Sequence, residues 1–359
     1  MLGGGRIARE HLRVLTNHPE CEVAVLCDRN PAVLQEVGDA FGIAGRSQSV
    51  EEVAGRKDLD AVFVAVSVPA APKAISLFLE AGIPTFMEKP PGLYSAETAH
   101  LVELGERRSA IAMVGLNRRF YANHLATHEW LAAHGPLRTV SLEAHEDLAN
   151  QPAKHGPEMV RRVLYHNGIH VLDLLRFFGG EVIDVTSRVA CVEHPYPDCF
   201  TATLRFANGA HGRVGVDHFA PGRNHFELGM IGARATAGPG LNSTELTSRS
   251  EPPILAELDD DDRRFKAGLW KQDSAFLAGV RAGRQPRWPA ASLRDAYQTM
   301  LLIDRISHSP AERVEGSLDA LRRVAANELA HPPTFGQLSP EGTQGASSVQ
   351  RKCSPGLSS

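Results

Sequence analysis

Two short motifs in the sequence carry side chains suited to proton transfer at a hydroxyl-bearing carbon. The tripeptide Glu88-Lys89-Pro90 follows the apolar segment Thr85 to Met87 directly. A lysine at that point can reach a reacting oxygen and stabilise negative charge as the charge develops. Farther along the chain, His166-Asn167-Gly168-Ile169-His170 carries two imidazoles four residues apart. Because imidazole is the most frequent general base in enzymes, this second motif predicts acid–base chemistry.

The spacing of the two histidines predicts one helix from His166 to Phe178 that presents both imidazoles on the same face. We expect His170 to act as the base and Asp173 to cap or brace the helix end. No metal site is predicted, because the pair lacks the intervening glutamate and the third ligand of a zinc motif. An ordinary, hydrogen-bonded helix histidine is the alternative for either position.

A glycine-rich turn near the start of the chain predicts a phosphate-binding loop. Gly3-Gly4-Gly5-Arg6-Ile7-Ala8 leads into a helical pattern that ends at Leu15. Glycines allow backbone N–H groups to approach a pyrophosphate at a helix N-terminus, where the helix dipole favours anions. Asp28 follows Ala8 by twenty residues, at the end of the apolar run Glu22 to Cys27, where its carboxylate can accept hydrogen bonds from an adenosine ribose. A glycine-rich tail and an ordinary turn aspartate are the alternative.

Strand and helix patterns alternate through the first 117 residues, which indicates a parallel sheet covered by helices. The expected strands are Glu22 to Cys27, Ala61 to Val66, Pro84 to Met87 and Ala110 to Val114. A sheet of this class needs its central strand immediately before the glycine turn, and only Met1 and Leu2 are available there. We therefore expect that strand to be truncated, with either translation from an upstream start or weak cofactor binding as the consequence.

The pattern changes after Asn117 to one that predicts an open, mainly antiparallel sheet. Its expected strands are Leu137 to Ala144, Val182 to Ala190, Phe200 to Phe206, His211 to His218 and His225 to Ile231, followed by helices Phe265 to Ala282 and Ala291 to Ser307. The predicted domains are therefore a dinucleotide-binding Rossmann domain (1–117) and a substrate-binding and oligomerisation domain (118–309). Residues 310–359 form a C-terminal extension, which we expect to be disordered from about residue 331 because Pro, Ser, Gly and Gln dominate there.

The composition narrows the classes of partner. Of 359 residues, 43% are hydrophobic and 22% are charged, and the formal net charge of −4 comes without a basic block, which argues against nucleic-acid binding. The longest apolar run, Ala61 to Ala71, is too short to cross a membrane. The five cysteines form no C-x-x-C pair, and the start of the chain lacks a secretory signal, so we expect a cytoplasmic protein.

Together these motifs resemble those of the Gfo/Idh/MocA oxidoreductase family. The resemblance covers roughly residues 2 to 309 and adds two further matches, Asn117-Arg118-Arg119-Phe120 and Gly168 to Asp173. It implies an N-terminal Rossmann domain, a C-terminal domain with an open sheet, and a nicotinamide cofactor. It also implies oxidation or reduction of sugars, cyclitols or related compounds, with Lys89 and His170 at the catalytic positions.

The resemblance leads to an explicit prediction of function: hydride transfer between the cofactor and a carbinol or ketone carbon of a sugar-like substrate. His170 takes the hydroxyl proton, Lys89 stabilises the oxygen, and His166 orients the substrate or relays the proton. His166 stands where many members carry an aspartate. Another departure is that Val68 to Pro72 lacks a histidine that many members have in this loop. An NAD-dependent glycosidase and a non-catalytic member of the family are the alternatives.

The expected cofactor contacts come from the glycine turn, the first strand end and the lysine motif. They are Gly3, Gly5, Arg6, Ile7, Ala8, Asp28, Arg29, Glu88 and Lys89. Asp28 favours NAD because a carboxylate repels the 2′-phosphate of NADP, although the adjacent Arg29 leaves NADP possible. One broad face of the open sheet needs a partner, so we expect a homodimer or homotetramer.

Overall fold

The computed structural model describes residues 1–148 and 162–308, and the backbone of residues 311–313. The first part of the chain forms a small parallel sheet with helices on its faces. Its elements are α1 (Arg6–Leu15), β1 (Leu26–Cys27), α2 (Pro31–Ala40), β2 (Arg46–Ser47), α3 (Val50–Ala54), β3 (Val62–Val64), α4 (Ala71–Glu80), β4 (Thr85–Glu88), α5 (Ser95–Arg107) and β5 (Ala112–Gly115). The predicted alternation of strand and helix is confirmed.

Leu2 joins the two halves of this parallel sheet. It forms parallel bridges to Cys27 on one side and Val64 on the other. Its N–H donates to the carbonyl oxygen of Phe63 at 2.8 Å, and its own carbonyl oxygen accepts from the N–H of Ala65 at 2.9 Å. With Leu2 fully buried between them, the strand order reads β2, β1, Leu2, β3, β4, β5. Leu2 thus occupies the central position of this sheet as an isolated bridging residue.

A cavity of about 450 Å³ lies beside Met1, between residues 22–25 and residues 58–63. The expected strand from Glu22 to Cys27 is regular only over Leu26–Cys27, because the residues before it border this cavity instead of a paired strand. The buried α-ammonium of Met1 donates to the carbonyl oxygen of Val25 at 2.8 Å. Burial lowers the pKa of this ammonium to about 6.

The second region is built on a nine-stranded sheet. Its elements are α6 (Ala122–His134), β6 (Thr139–His145), α7 (Val163–His166), α8 (Ile169–Gly179), β7 (Val182–Cys191), β8 (Cys199–Phe206), β9 (His211–Asp217), β10 (His225–Met230), β11 (Ala233–Ala237), β12 (Ser243–Ser248), β13 (Ile254–Glu257), α9 (Asp260–Arg264), α10 (Leu269–Arg281), α11 (Leu293–Ser307) and β14 (Ala311–Arg313). The strand order is β13, β12, β11, β10, β6, β9, β8, β7, β14. Adjacent strands run antiparallel except for the parallel pairs β6/β9 and β7/β14, so the predicted mainly antiparallel sheet is confirmed.

Strands β11, β12 and β13 lie in a region where the sequence predicted no strand. Their residues are mostly small or polar, as in Ala233–Ala237 and Ser243–Ser248, and so lack the apolar alternation of the other strands. The helix predicted from Phe265 to Ala282 also differs, because Gly268 has a φ of 77° and separates α9 from α10. Beyond residue 308 only β14 is described, so the predicted disorder of the tail lies outside the described residues.

The predicted continuous helix from His166 to Phe178 is wrong. Helix α7 ends at His166, and α8 begins at Ile169, with Asn167 and Gly168 between them. A Cβ at Gly168 would lie 2.6 Å from the carbonyl oxygen of Leu164, so this break requires glycine. Consequently the two histidines belong to different helices.

Helix α8 is the buried centre of the second region. Its residues from Val171 to Gly179 are buried, against the inner face of the sheet and against α11. Arg176 donates from Nη1 to the carbonyl oxygen of Asp295 at 2.8 Å and to the hydroxyl of Thr299 at 2.9 Å. These contacts fix the helix that carries His170.

Every helix in the described part of the chain is too short or too polar to cross a membrane.

Candidate active site

The glycine turn forms a cradle at the start of α1. Gly3 has a φ of 91°, and a Cβ there would lie 2.3 Å from the carbonyl oxygen of Ala65. A Cβ at Gly4 would lie 2.3 Å from Cγ1 of Val33, whereas at Gly5 it would meet no atom within 4 Å. No side chain caps the first turn of α1, so its free N–H groups face this open space. The turn therefore fits a pyrophosphate group bound by backbone donors.

Asp28 lies against this turn. Its Oδ2 accepts from the N–H of Gly4 at 2.8 Å, and its Oδ1 accepts from the N–H of Asn30 at 2.9 Å. Asp28 and the exposed Arg29 line a cavity of about 540 Å³, together with Gly3 and other residues of the turn. Each carboxylate oxygen keeps a lone pair for a further donor, such as a ribose hydroxyl.

A larger cavity of about 880 Å³ continues from the smaller one. The two share Val66, Ser67 and Pro69 in their linings. The larger cavity is also lined by Arg6 and Ile7 of α1. A ligand with two ends can therefore extend from Asp28 across the glycine turn into the larger cavity, as a dinucleotide requires.

Lys89 projects into the larger cavity from the end of β4. Its Nζ donates to the backbone carbonyl oxygen of His166 at 2.7 Å. Burial lowers the pKa of Lys89 to about 8, and the nearby cations of Lys266 and Arg118 oppose the raising effect of Glu88. At neutral pH the amine is therefore still mostly charged and can donate to a reacting oxygen.

His170 lines the same cavity from the first turn of α8. Burial lowers its pKa well below 6.5, and the charges of Lys89, Arg118 and Lys266 lower it further. Its buried Nδ1 has no hydrogen-bond partner among the described residues. A neutral imidazole next to a cationic lysine is the pair that proton removal from a hydroxyl group needs.

His166 also lines the larger cavity, but its contacts differ from those expected. Its backbone oxygen, and not its ring, holds Lys89. The ring Nδ1 lies 3.0 Å from Oδ1 of Asn167, whose Nδ2 donates to both carboxylate oxygens of Glu146 at 2.9 and 3.0 Å. Asn167 and Glu146 thus join β6 to the break between α7 and α8.

Glu88, which the sequence predicts as a cofactor contact, lines the larger cavity and also contacts a buried histidine that the sequence analysis missed. Nε2 of His11 lies 3.1 Å from Glu88, and its Nδ1 lies 2.8 Å from the fully buried Asp273. Burial alone lowers the pKa of His11, but the charge of Asp273 and hydrogen bonds to both carboxylates outweigh it and raise the pKa to about 10. The charged imidazole connects α1, β4 and α10 directly behind Lys89.

Arg119 and Asp173 form a second buried ion pair. Nε and Nη2 of Arg119 donate to the two carboxylate oxygens of Asp173 at 2.7 and 2.6 Å. Asp173 lies in the middle of α8, so it braces this helix but does not cap its end. The pair joins the 3₁₀ turn Asn117–Phe120 to the helix of His170 and leaves the neighbouring Arg118 directed into the cavity.

The structure brings most of the sequence-predicted site residues together. Gly3, Gly5, Asp28 and Arg29 line the smaller cavity. The larger cavity is lined by Arg6, Ile7, Glu88, Lys89, His166 and His170. Ala8 lines neither cavity and is fully buried. Within residues 1–148 and 162–308, no three side chains of His, Cys, Asp or Glu are grouped so that they could hold a metal ion.

Family models match both regions of the chain. Residues 1–116 match the model described as an oxidoreductase family with an NAD-binding Rossmann fold. Residues 130–237 match the model of the GFO/IDH/MocA C-terminal domain. The first match contains the glycine turn and the second contains His170, so the two parts of the candidate site lie in the two domains of one family.

Known relatives resemble this chain over most of its length. The D-apiose dehydrogenase of Paraburkholderia graminis is 24% identical over 344 residues, which cover 90% of each chain. The inositol 2-dehydrogenase of Rhizobium meliloti is 24% identical over 336 residues, covering 89% of this chain and 98% of its own. Among solved structures, an Agrobacterium radiobacter oxidoreductase in complex with NAD+, L-tartaric acid and magnesium has a TM-score of 0.74 and 19% identity. It covers 84% of this chain and 93% of its own.

Proposed function

The chain belongs to the Gfo/Idh/MocA family of NAD-binding oxidoreductases, and from this premise we propose that it oxidises a secondary alcohol of a sugar-like polyol. The observation that carries the proposal is the placement of Lys89 and His170 in one cavity that continues to the glycine turn. The names of the relatives, which act on apiose and inositol, support a polyol as substrate.

The two catalytic residues divide the work at the substrate hydroxyl. His170, neutral because of its lowered pKa, accepts the hydroxyl proton. Lys89, still charged below about pH 8, donates a hydrogen bond to the same oxygen and stabilises its developing negative charge. When bound, the nicotinamide cofactor supplies the hydride acceptor.

The cofactor side of the proposal assigns the pyrophosphate to the glycine turn and the α1 N-terminus, with Arg6 beside it. Asp28 binds the adenosine ribose, and NAD is preferred over NADP. Arg29, exposed at the same cavity, keeps that preference modest because a guanidinium pairs well with phosphate. Ile7, Glu88 and Lys89 form the wall where the cofactor enters the larger cavity.

We propose a supporting role for His166. Its carbonyl oxygen orients Lys89, and this contact survives any side-chain substitution. Its ring, bound to Asn167, faces the substrate. The variant His166→Asp introduces the residue common in the family. Higher kcat/KM in this variant would show that the histidine has no specific function, whereas a loss would show that its ring contributes to the reaction.

We also propose an oligomeric state and a cellular location for this protein. The outer face of the nine-stranded sheet exposes alternate residues of β8, among them Thr201, Thr203 and Arg205. We propose that this face forms the interface of a homodimer or homotetramer, and light scattering that gives a monomer mass at micromolar concentration would contradict it. Within the described residues, Cys21, Cys27 and Cys199 are free thiols, which supports a reducing cytoplasmic location.

The proposed function is tested by incubating the protein with NAD+ or NADP+ and a panel of sugars, cyclitols and their acids. We expect reduced nicotinamide to form with at least one polyol, as followed by absorbance. Stoichiometric loss of the substrate C–H hydrogen to the cofactor, measured with a substrate deuterated at the oxidised carbon, identifies hydride transfer. Hydrolysis of a glycoside without net cofactor reduction would contradict the proposal.

A further inference from the structure

The larger cavity carries more positive charge than the proposed reaction uses. Four basic side chains line it, Arg6, Lys89, Arg118 and Lys266, against two carboxylates, Glu88 and Glu146. The histidines in its lining include His170, which burial keeps neutral, and His218, whose pKa burial lowers to about 4.

Both carboxylates of the cavity are already engaged by other groups. Glu88 binds the buried His11, and Glu146 accepts both of its hydrogen bonds from Asn167. Neither forms an ion pair with Arg118 or Lys266 in the described part of the chain. The two carboxylates act on Lys89, Arg118 and Lys266 through their charge, but the four basic side chains outnumber them, so the positive charge of the cavity is only partly compensated.

Two of the four cations have no role in the proposed reaction. Arg6 belongs to the glycine turn, and Lys89 contacts the reacting oxygen. Arg118 and Lys266 remain, on the turn Asn117–Phe120 and between α9 and α10. Both side chains line the same cavity. Burial lowers the pKa of each, and the charge of Arg118 lowers the pKa of Lys266 further.

Arg118 has the donors to bind an anion. Its Nη1 and Nη2 donate to the side-chain oxygen of Asn224 at 3.1 and 3.2 Å, once this amide is oriented with its oxygen toward the guanidinium. Asn224 is neutral, so this contact fixes the side chain without cancelling its charge. A guanidinium has five N–H donors, and those left over can bind an anionic group strongly.

We infer that the substrate of this site carries an anionic group, a carboxylate or a phosphate ester, bound by Arg118 with support from Lys266. The inference rests on the proposed function and narrows its substrate class to acidic polyols. The anionic group binds at Arg118 while a hydroxyl group of the same molecule lies between Lys89 and His170. Specificity then comes from charge, because a neutral polyol leaves two partly buried cations unpaired.

The test is calorimetric titration of the NAD+-saturated protein with pairs of matched compounds. L-tartrate is compared with L-threitol, galacturonate with galactose, and glycerol phosphate with glycerol, so the first two pairs report on carboxylate and the third on phosphate. We expect the anionic member of at least one pair to bind roughly tenfold more tightly than its neutral partner. Equal affinity within all three pairs, or no binding of any compound, would overturn the inference.

Two variants test which residues cause the preference for the anionic compound. Arg118→Gln should remove most of the preference for the anion, and Lys266→Gln part of it, while NAD+ affinity stays within about twofold in Arg118→Gln. Exposed residues provide matched controls, Arg108→Gln and Lys57→Gln, which should keep the preference. A preference that persists in Arg118→Gln would contradict the assignment.

Turnover separates this inference from the proposed function. If neutral polyols are bound and oxidised while anionic ones are not, the substrate class is wrong and the proposed reaction stands. If anions bind through Arg118 but no compound reduces NAD+, the anion site stands and the proposed reaction fails.

Discussion

The two ends of the cleft are built in different ways. At the end near Asp28, the contacts come from backbone N–H groups and from glycines that leave space, in a cavity of about 540 Å³. At the other end, a cavity of about 880 Å³ is lined by ionisable side chains whose pKa values are strongly shifted, among them Lys89 and His170. In the proposed function, the first end recognises the cofactor by shape and backbone donors, and the second performs the chemistry through partly dehydrated charges.

This difference indicates which end of the cleft lowers the stability of the folded protein. Backbone donors at a helix start cost little, because those N–H groups lack partners in any helix. A dehydrated lysine and three nearby cations are unfavourable in a folded protein unless other contacts compensate. The buried ion pairs His11–Asp273 and Arg119–Asp173 stand directly behind the charged end.

The largest effect is expected from substituting His11, which connects the two ends of the cleft. His11 lies on α1, whose start forms the glycine turn, and binds Glu88 next to Lys89. The variant His11→Gln leaves Asp273 buried without a cation and removes the contact of His11 with Glu88, so the free energy of unfolding should fall by about 3–5 kcal/mol. Urea denaturation measures this loss.

Two comparisons make the His11 prediction specific. His100→Gln on the exposed side of α5 should change the free energy of unfolding by less than about 0.5 kcal/mol. Adding Asp273→Asn to His11→Gln should recover part of the loss, because one buried charge is removed. If His11→Gln were no less stable than His100→Gln, the buried pair would contribute nothing measurable.

The catalytic pair gives the next largest effect. Lys89→Ala and His170→Ala should each lower turnover by roughly a hundredfold or more, with NAD+ affinity nearly unchanged, because neither belongs to the glycine turn. Steady-state kinetics and calorimetry measure the two quantities. The exposed Lys57→Ala and His211→Ala are matched controls and should retain full activity. Full activity in either catalytic variant would remove that residue from the mechanism.

The glycine turn offers a contrast within the cofactor end. Gly3→Ala places a Cβ 2.3 Å from a backbone oxygen at a φ of 91°, so we expect a loss of stability of about 1–3 kcal/mol. Gly5→Ala meets no protein atom within 4 Å and should leave the melting temperature unchanged while weakening NAD+ binding, since its methyl group occupies the open space. Equal thermal stability of the two variants would contradict the geometry of the turn.

The smallest effect concerns the choice of cofactor. Asp28→Asn keeps an acceptor for the N–H of Gly4 but removes the charge that repels a 2′-phosphate. The ratio of kcat/KM with NAD+ to that with NADP+ should fall by roughly tenfold. Arg29→Gln should change the ratio in the opposite direction. A wild-type protein that uses NADP+ better than NAD+ would overturn the assignment of Asp28.

Local sequence predicted the parts of the site that depend on local geometry. The glycine turn, Asp28 and Lys89 each follow from a few adjacent residues at a strand end or helix start. The single helix predicted for His166 and His170 is two helices in the structure. The sequence did not indicate the break, because helical periodicity does not show the close approach of Gly168 to Leu164.

The contacts that sequence reasoning missed join residues far apart in the chain. His11 and Asp273 are separated by 262 positions, and their pairing depends on how α10 packs on α1. Arg118 was noticed only as part of a motif, because its approach to Lys266 requires the packed fold. The small residues of β11 and β12 likewise become strands only through pairing, of β11 with β10 and of β12 with β11.

The pH dependence of kcat/KM for alcohol oxidation tests the central claim most directly. In the free protein, Lys89 must be charged and His170 neutral for the reaction. Because burial lowers the pKa of Lys89 to about 8, kcat/KM should decrease as the pH rises through 8, and it should stay level below pH 7 down to the lowered pKa of His170. A value of kcat/KM that continues to rise above pH 8 would contradict the role of Lys89 as the charged donor, and with it the proposed roles of Lys89 and His170.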